Sequence, residues 1–188
     1  MQTWIILAIL AAAVIYVAAV FNRLVRQRNL VREGWSGIDV QLKRRTDLVP
    51  NLVETVQAYV AHERTVLAEV TAMRASSIAA SGVGSQASAE RGLQASLGKL
   101  LAVAEAYPEL KADKNFLALQ EQLAGIEDQL QMARRYYNGT VRNLNIVIQS
   151  FPSNLLAGVL GFREEPFFEL GDRNEAAPPG VAFQTPKS

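Results

Sequence analysis

Few side chains in this sequence could take part in catalysis. The chain has one histidine, His62, and no cysteine, which excludes thiol nucleophiles, disulfides and thiolate metal sites. His62 and Glu63 match the first two letters of a zinc-protease motif, but Val66 stands where the second metal-binding histidine belongs. There is no Gly-Lys-Ser/Thr phosphate loop and no His/Asp/Glu cluster at metal-ligand spacing. The sequence therefore predicts a protein that is not an enzyme and holds no cofactor or metal.

A cluster of charged residues is the first candidate for a protein-binding surface. It crowds the end of the first predicted helix, and the alternative is an ordinary solvated helix end. Its members are Asp39, Lys43, Arg44 and Arg45.

A second candidate is a buried polar pair. Glu63 is the only acidic residue in an otherwise apolar helical stripe, and a carboxylate that faces a core needs a partner. We predict that Arg134 or Arg135 of a later helix supplies it, with Arg45 as a third possibility. The alternative is that Glu63 lies at the edge of the stripe and reaches water.

The elements that must position these residues are helices. After residue 23, apolar residues recur at alternating steps of three and four, which places them on one helical face, and no run alternates with period two. The sequence predicts an all-α protein, and its short connections favour an antiparallel up-and-down four-helix bundle. The stripes occupy residues 24–42, 49–73, 93–107 and 116–151.

Turn and capping residues set the predicted helix ends. Asp47 is predicted to cap the second helix, with Pro50 in its first turn, and Asp113 is predicted to cap the fourth. Pro108 and Pro152 follow the predicted ends of the third and fourth helices, and a Gly/Ser-rich connection covers residues 81–85.

The N-terminal segment is predicted to be a membrane anchor. Residues 2–22 carry no charge, and at about 1.5 Å per residue they cross roughly 30 Å of hydrocarbon as a helix. A cleaved signal peptide is the alternative, but no basic residue precedes the apolar run and no small-x-small cleavage site follows it. Seven basic residues lie within positions 23–45, which predicts an outside N-terminus and a cytoplasmic remainder.

Three regions follow from this pattern. Residues 1–22 form the anchor, residues 23–168 the helical bundle, and residues 169–188 a tail with too few apolar side chains to stay ordered. The net charge is +1, so the sequence lacks the strong positive charge that would indicate a nucleic-acid partner, and none is predicted.

In an antiparallel bundle, the segment after the fourth helix returns to the bilayer. Residues 151–168 are rich in Phe and Leu, and we predict that they lie in the membrane interface or, alternatively, fold back over the core. The candidate lipid-interface residues are Arg23, Arg26, Arg28, Leu155, Leu156, Phe162, Phe167 and Phe168.

Several runs resemble one family. They are GWSGIDVQLKRR at residues 34–45, DLVPNLVETV at 47–56, RRYYN at 134–138 and FPSN at 151–154. Over roughly residues 4–168 the chain resembles the LemA family of bacterial membrane proteins. The resemblance implies an N-terminal anchor and a helical bundle but no settled activity. One magnetosome-associated relative is implicated in making membrane vesicles.

Together these observations predict a non-enzymatic scaffold or adaptor of the bacterial inner membrane, which recruits other membrane or cytoplasmic proteins. The alternative is a membrane-shaping protein that self-assembles as a homo-oligomer and engages lipid.

Overall fold

The structure, a computed structural model, describes residues 1–60 and 63–169. Those residues form helices and no strand, which confirms the all-α prediction. The predicted tail lies outside the described residues from position 170 onward, as does His62. The helices are α1 (Gln2–Gln57), α2 (Arg64–Ala79), α3 (Val83–Ala104), α4 (Pro108–Lys111), α5 (Lys114–Gln149) and α6 (Ser153–Val159).

Helix α1 runs through the position at which the sequence predicts a break. It continues past Asp47 and Pro50 to Gln57, so the predicted cap at Asp47 is wrong. A proline at position 50 has no N–H to donate to the carbonyl of Thr46. The guanidinium of Arg74 in α2 supplies the missing donor, with Nε 2.7 Å from the Thr46 oxygen. The second apolar stripe is therefore divided between α1 and α2.

Helices α1 and α5 are antiparallel partners. Gly34 lies opposite Tyr137, because a Cβ added at Gly34 would be 3.0 Å from the Tyr137 Cα. Farther along, Arg45 contacts Glu127 of α5. Each step along α1 is thus matched by a step back along α5. Continued in both directions, this register places Lys114 opposite Gln57 and Gln149 opposite about residue 22, given the equal rise of the two helices.

Helices α2 and α3 form a hairpin that covers the distal half of α1. The hairpin turns at Gly82, whose φ of +83° favours glycine. The chain leaves along α1, comes back along α2, leaves along α3 and returns along α5, which is the predicted up-and-down order.

Two apolar clusters form the core. The proximal cluster lies between α1, α5 and α6 and includes Leu24, Ile38, Tyr137 and Leu144. The distal cluster draws on α1, α2, α3, α4 and α5 and includes Leu52, Val70, Leu100 and Phe116.

After α6, an extended segment of residues 162–169, here called the strap, returns over α5. Asn145 donates to the Glu165 carbonyl and accepts from the Glu165 N–H, both at 3.0 Å. Asn138 likewise donates to the Phe168 carbonyl at 3.1 Å and accepts from the Phe168 N–H at 2.9 Å. The Phe168 ring is fully buried beside Trp35, with 5.7 Å between ring centroids. The strap thus closes the proximal cluster.

Candidate functional sites: a polar layer and a membrane-proximal base

A buried polar layer separates the two apolar clusters. Arg45 is 2% exposed, and its Nη1 lies 3.4 Å from Oε2 of Glu90, which is fully buried on α3. Nη2 of the same guanidinium pairs with Glu127 on α5. One arginine therefore joins α1, α3 and α5 in the middle of the bundle.

Neighbouring side chains satisfy the remaining oxygen of Glu90. Its Oε1 accepts from the Ser77 hydroxyl of α2 and from Nε2 of Gln86 at 3.2 Å. Within the layer, the Arg45 Nε has no hydrogen-bond partner among the described residues. Because nearly every donor and acceptor depends on a different helix, a slip of one turn would leave buried charges unpaired. We therefore expect the layer to fix the register of the bundle.

The layer is built from a small set of chemical groups. It combines one guanidinium with two carboxylates, a hydroxyl and an amide, and lacks an imidazole or thiol. No group of three or more His, Asp or Glu suited to a metal occurs among the described residues. The contacts of the layer link α1, α2, α3 and α5.

The predicted polar pair is corrected by this layer. Glu63 immediately precedes α2, at the end of the bundle where Tyr59 donates to Asp113 at 3.1 Å. Arg134 and Arg135 lie twenty residues and more into α5, roughly 30 Å from that end. The structure does not bring them together, and the buried acid is Glu90. The sequence signal for Glu90 is its place one step before Leu93 on the third apolar stripe.

The charged cluster is corrected in two respects. Asp39, Lys43 and Arg44 are exposed, but Arg45 is buried in the polar layer and unavailable to a partner. The cluster also lies within α1 and not at its end, since α1 continues to Gln57. Asp39 and Lys43 line one cleft on the side of α2 and α3. Beside Arg44, a second cleft of about 500 Å³ opens between α1 and α5. Its lining includes Gln41, Arg44, Asp47, Leu48, Gln122 and Ile126.

The candidate lipid residues divide into two groups. Phe162 and Phe168 are buried, as the folded-back alternative predicts, and Leu156 is half-buried. Leu155, Phe167, Arg23 and Arg26 are exposed. Arg28 is half-buried, with its guanidinium carbon 4.8 Å from the centre of the Phe162 ring. The base of the bundle, meaning α6 and the adjoining ends of α1 and α5, thus both caps the core and leaves an apolar surface.

The remaining part of α1 is an apolar segment at the N-terminus. It is the helix in the described chain that is long and apolar enough to cross a membrane, and most of its side chains have no protein neighbour. Val20 is the first buried residue of α1, so protein packing begins where the apolar run ends.

Comparison of the sequence with known proteins identifies a family and several relatives. The model of the LemA family matches residues 34–183. A "Protein LemA" from Metamycoplasma hominis is 26% identical, covering 80% of this chain and 69% of that protein. "Magnetosome protein MamQ 2" of Paramagnetospirillum magneticum is 24% identical, covering 79% and 64%, and "Magnetosome protein MamQ" of Magnetospirillum gryphiswaldense is 23% identical, covering 71% and 58%. The chain spans less than two thirds of the length of these magnetosome relatives. Since the family model covers most of the sequence, the chain belongs to the LemA family.

Proposed function

We propose that this chain is a non-enzymatic scaffold, anchored in the bacterial inner membrane by α1, which holds partner proteins at a fixed distance from the bilayer. The observation that carries the proposal is the continuity of α1. One helix contains the apolar segment, the polar layer and the distal core, with no joint between Gln2 and Gln57.

Continuity gives the scaffold a defined height. From Asn22 to Gln57, α1 extends roughly 50 Å, and α5 accompanies it over the same length. Two paired helices, a register-fixing polar layer and the strap resist bending better than a single helix with a flexible linker. A partner bound beside Arg44 would sit roughly 30 Å from the end of the apolar segment.

The surface that we assign to partners consists of Arg44 with the cleft between α1 and α5, and of Asp39 and Lys43, which line a separate cleft on the side of α2 and α3. The first of these clefts lies between two antiparallel helices and offers apolar area from Leu48 and Ile126 next to charge from Arg44 and Asp47. Such a groove suits a helix or short segment that carries both apolar and acidic side chains.

Photo-crosslinking in living cells tests this assignment. Probes replace Lys43 and Arg44, and a matched probe replaces Arg135, which is exposed on α5. Adducts to a different protein from positions 43 and 44, and none from 135, would support the scaffold. If charge reversal at Lys43 and Arg44 left every co-purifying protein in place, the docking surface would be refuted.

A second candidate function is membrane shaping by many assembled copies. It is favoured by the exposed apolar surface at the base and by the similarity to magnetosome proteins. Purified protein added to liposomes would then tubulate or cluster them, and crosslinks from the same probes would join copies of this chain. Liposomes that stay round and separate would exclude this candidate.

A further inference from the structure

We propose that α6 lies in the boundary between headgroups and acyl chains of the bilayer that α1 crosses, with Phe151, Leu155 and Val159 facing lipid. The inference rests on the proposed anchor and adds a second membrane contact to it. The partner that we assign to the exposed face of α6 is a lipid surface.

The register of α1 and α5 sets the height of α6. Gly34 opposite Tyr137 and Arg45 opposite Glu127 place the end of α5, Gln149, level with about residue 22. The apolar segment of α1 ends at that level, because Arg23 is the first charged side chain of the chain. The turn after α5 and all of α6 therefore lie where hydrocarbon gives way to headgroups.

Direct contacts agree with this height. The rings of Phe21 and Phe162 meet edge to face, with 6.2 Å between their centroids. Val20 and Leu24 are buried in the same cluster as Ala157 of α6. The base of the bundle thus packs on the last turns of the apolar segment itself.

The outward face of α6 is apolar, unlike that of a helix in water. Leu155 and Val159 are 63% and 86% exposed and lie one helical turn apart on α6, and Phe151, which is 81% exposed, lies in the turn before it. The opposite side, which includes Ala157, is already used against the core. A short helix that packs on the core through one side and exposes Leu155 and Val159 on the other fits a boundary between protein and lipid.

Charged side chains surround the base. Arg23 and Arg26 are exposed on the turns of α1 that leave the apolar segment, and Arg163 is exposed just after α6. The strap also carries three acidic residues: Glu164 and Glu169 are exposed, and Glu165 is half-buried. Because Arg23 and Arg26 are the charged side chains nearest the apolar segment, they are placed to contact acidic headgroups.

Depth-dependent quenching on the full chain in vesicles tests the inference. Because the natural sequence has no cysteine, Val159→Cys and Leu155→Cys each carry one bimane fluorophore, and both sites are exposed. The vesicles contain phosphatidylglycerol and phosphatidylcholine, with nitroxides on the acyl chains at shallow or deep positions. Two controls are labelled in the same way: Ala12→Cys within the apolar segment, and Leu117→Cys, exposed in the first turns of α5 at the distal end.

We expect the fluorophores at 155 and 159 to be quenched more strongly by shallow nitroxides than by deep ones. The fluorophore at 12 should be quenched by deep nitroxides, and the one at 117 by neither. Quenching at 12 without quenching at 155 or 159 would overturn the inference and leave the anchor standing. Absence of quenching at 12 as well would refute the anchor, and the inference with it.

Discussion

Removal of the guanidinium from the polar layer should weaken the bundle severely. Arg45→Met keeps the length of the side chain but leaves Glu90, fully buried, without its cation. At 3.4 Å and an effective dielectric constant of about 20, the lost attraction is about 5 kcal/mol. The loss of one partner from a buried pair costs about 3–5 kcal/mol in other proteins. We therefore expect the free energy of unfolding of the bundle to fall by about 3–5 kcal/mol.

The companion variant tests the reasoning. Arg45→Met combined with Glu90→Leu removes both buried charges, and Glu127, which is partly exposed, can turn to water. Replacement of a buried pair by apolar residues is often neutral or stabilising, so most of the loss should be recovered. Lys43→Met is the matched control, because the Lys43–Asp47 pair is solvent-exposed and worth at most about 1 kcal/mol.

The assay is urea unfolding of the full chain in nanodiscs, followed by far-ultraviolet circular dichroism and analysed by linear extrapolation. If Arg45→Met cost no more than Lys43→Met, the layer would not stabilise the fold. If the double variant were as unstable as Arg45→Met alone, the unpaired Glu90 carboxylate would not be the cause of the lost stability.

Three further predictions use the same unfolding assay. Arg74→Met should lower the free energy of unfolding by about 1–3 kcal/mol, because the Thr46 carbonyl loses its donor. Most of that loss should vanish in a Pro50→Ala background, where position 50 regains its N–H. Equal losses in both backgrounds would contradict the proposed compensation. Burial, with a smaller effect of a nearby carboxylate, raises the pKa of Tyr137 from 10.0 to about 12. Its contribution to the free energy of unfolding is therefore complete below pH 10 and is lost as the pH rises towards 12. Tyr137→Phe should flatten this loss of stability, and an unchanged pH profile would refute the prediction. Gly34→Ala should destabilise the pairing of α1 with α5 by about 1–3 kcal/mol, since its Cβ would press on backbone, whereas an unchanged midpoint would show that the two helices can separate freely.

Helix type and the strongest caps could be predicted from local sequence. The fourth stripe became α5, and Asp113 caps it by accepting from the Phe116 N–H at 2.9 Å. Spacing and capping act within a few residues, so a single sequence displays them. The continuation of α1 through Pro50 could not be seen in that way, because its compensation comes from Arg74, on another helix.

The polar layer and the strap were missed for a similar reason. Glu90 meets Arg45 across 45 positions, and Asn138 holds a backbone 30 positions away. Neither separation leaves a periodic trace in the sequence. The base was predicted in part: the return of the chain to the level of the apolar segment followed from helix order, while the burial of Phe162 depended on packing that only the structure shows.

The partnership of α1 and α5 also dictates the order in which the protein can be built during translation. Tyr137 leaves the ribosome about 100 residues after Gly34, and at about 5–20 residues per second the delay is roughly 5–20 s. During that interval the lower half of α1 has no partner, while α2 and α3 can already cover its upper half. Helix α5 then emerges from its distal end first. The bundle therefore closes toward the apolar segment of α1, and α6 and the strap are the last parts to take their places.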